Sequence, residues 1–66
     1  MNRVLVNGKE RETGTATVAL LLEELGLHQT RVAVERNGQI VPRDRYAETP
    51  VASGDQLEIV QFVGGG

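Results

Sequence analysis

The sequence predicts an α+β domain in which one main helix packs on one face of a mixed sheet of four to five strands. Three observations carry this reading. Val18, Leu21, Leu22 and Leu25 fall at i, i+3, i+4 and i+7, the apolar stripe of a single helix face. Asn7-Gly8 and Asn37-Gly38 each separate two short strand-like stretches, and this dipeptide readily accepts the positive φ angles of a hairpin turn. Leu57 to Val63 is the longest run rich in β-branched and aromatic residues.

Taken in order, Arg3 to Val6 reads as a strand, and Lys9 to Glu12 returns as a second, more polar one. Thr13 to Ala16 reads as a loop. Thr17 is placed to cap a helix, because its hydroxyl can accept from an amide of the first turn that has no partner within the helix. The helix is expected over Val18 to Leu25. Gly26 stands where a left-handed residue ends a helix, and Leu27 can pack back on it. Val32 to Glu35 and Gln39 to Val41 are the next strands. Pro42 stops the second, since proline lacks the amide that a ladder needs. Arg43 to Thr49 reads as polar and irregular, and Ser53-Gly54-Asp55 as a turn before the last strand. One helix joining a hairpin to later strands is the order of the β-grasp, or ubiquitin-like, architecture. Residues 1–63 are read as one β-grasp domain and 64–66 as a flexible glycine tail.

Size and composition narrow the function. A chain of 66 residues buries only about 60% of its unfolded surface, so its core is thin and leaves little room for an enclosed active site. It contains no cysteine, so neither a disulfide nor thiolate chemistry is available to its side chains. Its longest apolar run, Val18 to Leu22, falls far short of the roughly 20 residues that span a bilayer. The N-terminus carries no signal-peptide pattern. A soluble, cytoplasmic protein without a membrane partner is expected. The net charge of −2, with both signs interspersed, argues against a nucleic-acid partner.

Candidate catalytic groups are sparse. His28 is the sole histidine and has no base–nucleophile partner in the sequence, so it reads as a surface residue. Glu23 and Glu24 are adjacent on a helix and point apart, as on a solvated face. No metal site and no bound cofactor are expected. The unusual feature is the end, where Gly64, Gly65 and Gly66 follow a strand with no further element to turn into. Glycine lacks a Cβ, so such a tail can lie extended in a narrow channel. Three residues reach roughly 10 Å. The tail ends on an α-carboxylate that is ionised at neutral pH, its ordinary pKa being about 3.5. A carboxylate is a poor electrophile, but it can attack the α-phosphate of ATP and become an acyl adenylate. If Leu57 and Ile59 face the helix, strand alternation turns Glu58, Val60 and Phe62 outward as a partner surface, in which Val60 and Phe62 form an apolar patch leading to the tail.

These features together resemble the ThiS family, the ubiquitin-like sulfur carriers of thiamin biosynthesis. The resemblance rests on the order of elements, on TVALLLEELGL, NGQIVPRDRY and SGDQLEIVQFV, and on the terminal Gly65-Gly66. It covers essentially the whole chain. It implies that Gly66 is adenylated by an E1-like, ThiF-type enzyme using ATP and magnesium. It further implies a thiocarboxylate made with sulfur from a cysteine desulfurase, and delivery of that sulfur to a ThiG-type thiazole synthase. The chain would then be a protein cosubstrate and not an enzyme. Tyr46 stands where the family frequently has tryptophan, and Gly64 makes the tail a triple glycine. Three other readings stay open on sequence: a molybdopterin-synthase small subunit, a modifier that forms isopeptide bonds to lysine, and a β-grasp interaction module with an inert tail.

Overall fold

A computed structural model describes residues 1–62. Five strands, one α-helix and two 3-10 turns follow in the order expected: β1 (Asn2–Val6), β2 (Lys9–Thr13), α1 (Val18–Glu24), β3 (Val32–Arg36), β4 (Gln39–Val41) and β5 (Gln56–Gln61). The 3-10 turns are Gln29–Arg31 and Arg43–Arg45. The sheet order is β2-β1-β5-β3-β4. The first and last strands lie side by side and parallel, and each carries an antiparallel partner on its far side. This is the mixed sheet of a β-grasp.

Local sequence accounts for most boundaries. Both Asn-Gly pairs sit at positive φ, Asn7 at 52° and Gly8 at 82°, Asn37 at 53° and Gly38 at 83°. Those angles make two-residue turns whose twist matches the strands they join. The Thr17 hydroxyl accepts from the Leu20 amide at 3.3 Å. At the other end Gly26 takes φ 75°. Its amide reaches the Glu23 carbonyl at 3.0 Å, while the Leu27 amide reaches Leu22 at 2.9 Å. The two bonds form the paired C-terminal closure that a left-handed glycine permits.

The core lies between α1 and one face of the sheet. Val18, Ala19, Leu21 and Leu22 from the helix meet Val4, Val32, Val34, Val41, Leu57 and Ile59 from the strands. Tyr46 and Val51 complete it from the long connection between β4 and β5. That connection corrects the reading of Arg43 to Thr49 as merely polar and irregular. Its 3-10 turn delivers Tyr46 to the core, where the side chain is 2% exposed. Its carbonyls also cap the helix, Thr49 accepting from the Val18 amide and Tyr46 from the Ala19 amide, each at 2.9 Å. With the Thr17 hydroxyl, these satisfy amides that the first helical turn leaves unpaired. Thr13, read as the start of a loop, ends β2 instead and is buried. The last strand closes at Gln61, two residues earlier than expected, and Val63 lies outside the described residues.

β5 is the strand around which the rest is fastened. The Asn7 side-chain amide bonds the backbone of Ile59 from both ends, accepting from its N–H at 2.7 Å and donating to its carbonyl at 3.1 Å. The short parallel pairing, which covers only Leu5↔Gln56 and Val6↔Leu57, is thereby extended. Asn37 accepts from the Gln56 amide at 2.8 Å, and its own amide nitrogen donates to Asp55 at 3.1 Å. Asp55 is buried and also receives Arg36 Nε at 2.9 Å and the Ala52 amide at 2.8 Å. Burial by itself would raise the pKa of its carboxyl. The bonds from Ala52, Asn37 and Arg36 outweigh that and hold it below the ordinary 3.8.

Candidate functional site

The helix covers one face of the sheet. Among the described residues, the other face is exposed at β5, β3 and β4. Leu57 and Ile59 point into the core, so period-two alternation turns Glu58 and Val60 to the opposite face. Val60 is 61% exposed and Phe62, just beyond the strand, 50%. Ala33 lies directly opposite Val60, Glu35 opposite Glu58, and Ile40 opposite Glu35. Directly opposed residues share a face. Val60, Ala33 and Ile40 therefore frame two carboxylates on an open surface, with Ile40 77% exposed. Sequence reasoning reached Glu58, Val60 and Phe62, but Ala33, Glu35 and Ile40 join them only through the strand pairing.

The two carboxylates are opposed without an ion pair of their own. Among the described residues the ion pairs are Arg3 with Glu10 and Glu12, Arg11 with Glu24, Arg36 with Asp55, and Arg45 with Glu48. Like charges directly opposite on a sheet oppose folding by a few tenths of a kcal/mol. Gln61, whose strand position alternates with that of Val60, is exposed at the strand end.

The end of β5 is held by the segment before β3. Gln61 lies opposite Val32, and the Phe62 amide donates to the Arg31 carbonyl at 2.8 Å. From Phe62 the chain continues to Gly64, Gly65 and Gly66, the sequence-predicted tail, which lies outside the described residues. The other residues weighed from sequence are placed plainly. His28 is exposed at the start of a 3-10 turn, where its side chain makes no capping bond. Glu23 and Glu24 are exposed, and Glu24 accepts from Arg11 at 3.3 Å and from the buried Thr13 hydroxyl at 3.2 Å, tying α1 to β2. Among the described residues no group of three or more His, Cys, Asp or Glu is placed to hold a metal ion. Nor is any helix among them long and apolar enough to cross a membrane.

Comparison with known proteins gives this geometry a context. The model of the ThiS family matches residues 4–66. A thiazole synthase from Paramagnetospirillum magneticum is 51% identical over 65 residues, which cover 97% of this chain and 20% of that protein. The sulfur carrier protein ThiS of Bacillus subtilis is 41% identical over 63 residues, 92% of this chain and 96% of that one. Among solved structures, the crystal structure of the thiamine biosynthesis protein ThiS from Geobacter metallireducens superposes with a TM-score of 0.80 at 37% identity. The match covers 97% of this chain and 99% of that one. The chain thus spans about a fifth of the thiazole synthase, but almost the whole of the sulfur carrier.

Proposed function

The chain belongs to the ThiS family, and from that premise we propose that it carries sulfur for thiazole formation in thiamin biosynthesis. The observation that carries the reading is continuity. An exposed apolar surface, Val60 and Phe62, stands at the end of β5 and runs directly into Gly64-Gly65-Gly66. A recognition surface and a slender reactive arm are thereby joined without a linker.

The chemistry belongs to the arm, and the domain presents it. A ThiF-type enzyme brings ATP and magnesium. The Gly66 carboxylate attacks the α-phosphate, pyrophosphate leaves, and the acyl adenylate that results is a good electrophile. The outer sulfur of a cysteine desulfurase persulfide then displaces AMP to give an acyl persulfide. Attack by a second thiol on the cysteine sulfur breaks the S–S bond, leaving a disulfide on that cysteine and a thiocarboxylate on Gly66. A ThiG-type thiazole synthase draws the sulfur from that group. Gly65 and Gly64 contribute slenderness, since a Cβ at either position would widen the arm where an enzyme channel must close on it. The chain itself supplies no catalytic side chain in this scheme. The thiazole synthase relatives support the last step, because a segment similar to this whole chain forms part of a protein with that name.

Intact mass after incubation with a ThiF-type enzyme, ATP, magnesium, a persulfide source and a thiol reductant tests the proposal. A gain equal to one sulfur replacing one oxygen, localised to Gly66 and absent when Gly65-Gly66 is deleted, is the expected result. No gain, with the enzyme active on a control carrier, overturns it. Phe62→Asp is expected to weaken docking to the activating enzyme or to thiazole synthase. Unchanged affinity for both would remove the outer surface from the scheme.

A further inference from the structure

The end of β5 is secured unequally on its two sides. On the β1 side, pairing reaches Leu57 through the strand and Ile59 through the Asn7 side chain. Among the described residues, backbone pairing past Ile59 comes from the other side alone, through Ala33, Val32 and Arg31. The place at which the chain leaves the sheet is therefore set by wherever residues 29–32 are held.

Little in that segment holds itself. Gln29, Thr30 and Arg31 form a 3-10 turn with no buried residue and no side-chain cap. The β3–β4 ladder ends at Val34↔Val41, and Pro42 closes β4. Two side chains from the turn after Pro42 take over where the ladder stops. The Tyr46 hydroxyl donates to the Val32 carbonyl at 3.3 Å, and Arg43 Nε donates to the Gln29 carbonyl at 3.1 Å. They grip the backbone on either side of Arg31, whose carbonyl receives the Phe62 amide. Tyr46 is a core residue, but Arg43 is exposed, so packing does not explain its reach across to Gln29. Arg45, on the same turn, pairs among the described residues only with Glu48 of its own segment.

We propose that Arg43 is a positioning residue for the carrier reaction. By holding the Gln29 carbonyl it fixes the turn that pairs with Phe62, and so fixes the point from which the arm departs. The proposal rests on the sulfur-carrier reading for its consequence, but not for its geometry. An activating enzyme that meets a fixed departure point has less chain to order on binding, so the contribution falls on recognition.

Two measurements test it. In the free protein, Arg43→Ala is expected to speed hydrogen exchange at the Phe62 amide about fivefold, the size of one hydrogen bond's net contribution. The unfolding constant from urea titration should rise by no more than about the same fivefold. In ATP–pyrophosphate exchange with a ThiF-type enzyme, the same variant should raise the KM for the carrier about fivefold while kcat holds. Arg43→Lys, which keeps a donor and the charge, should recover part of both, and Arg45→Ala should change neither. Unchanged exchange at Phe62 overturns the proposal. So does a loss of kcat as large as the rise in KM, or an Arg45→Ala variant that matches Arg43→Ala. If the wild-type chain is never adenylated, the carrier reading fails while exchange at Phe62 still decides whether Arg43 holds the exit.

Discussion

The two faces of β5 share one backbone and one set of neighbours, yet they carry different work. Leu57 and Ile59 face α1 and are buried, whereas Glu58 and Val60, alternating with them, face solvent beside Glu35, Ala33 and Ile40. Strand geometry makes such a division available, because successive side chains point to opposite sides. The inner face is filled to match its surroundings, as a close-packed interior demands. The outer face holds apolar groups where water is the neighbour and opposes two carboxylates in register. In a domain this small, surface that weakens folding is expected to have another use.

Substitutions along the strand test the division. Leu57→Ala should be the most damaging, costing about 3 kcal/mol through lost burial and the cavity left in the core. Urea unfolding with an unchanged slope would show it. A cost below about 1 kcal/mol would mean that the inner face is not the core.

Asp55→Asn comes next, at about 2 kcal/mol, because the Arg36 guanidinium loses its carboxylate in a site with little solvent. The effect depends on pH in a defined direction. The folded protein holds the Asp55 carboxyl below its ordinary 3.8. The stabilisation is therefore complete above that value and is lost as pH falls through the lower, folded one. Wild type should lose stability on acidification through this range, and Asp55→Asn should show a flatter acid limb. Parallel acid limbs would place the acid sensitivity elsewhere.

Asn7→Ala should cost about 1 to 2 kcal/mol. It strands the two backbone groups of Ile59 and puts alanine at a φ of 52°. A cost near zero would mean that the side-chain extension of the β1–β5 pairing contributes little. The outer face should respond least. Val60→Ser is expected within about 0.5 kcal/mol of wild type in stability, while its affinity for thiazole synthase falls. Glu58→Gln should raise stability by a few tenths of a kcal/mol by relieving the opposed charge at Glu35. Destabilisation of 1 kcal/mol or more by either would sink the distinction between the faces.

Much of this was legible in the chain. The helix stripe, the Thr17 cap, the Gly26 closure and both Asn-Gly turns are local signals whose partners lie within a few residues. The outward set of Glu58, Val60 and Phe62 followed once the alternation in β5 was referred to the helix. Gly66 as the reactive end was read from its chemistry and from the family resemblance, and it lies beyond the described residues. Tyr46 and Asp55 were the harder cases. Tyr46 sits in a polar stretch with no periodicity around it, and Asp55 in what reads as an ordinary turn. Both are buried because distant groups reach them, Val32 in one case and Arg36 with Asn37 in the other.

By itself, then, the sequence determined the kinds and order of the elements, since helix periodicity, capping and turn conformations depend on neighbours along the chain. Tertiary structure decided which strands lie side by side, that the connection after Pro42 caps the helix and grips the turn before β3, and that Glu35 and Ile40 join Glu58 and Val60 on one surface. Each of these depends on contacts between residues far apart in sequence. Such contacts become favourable only when the whole sheet closes on α1 and buries the inner face at once.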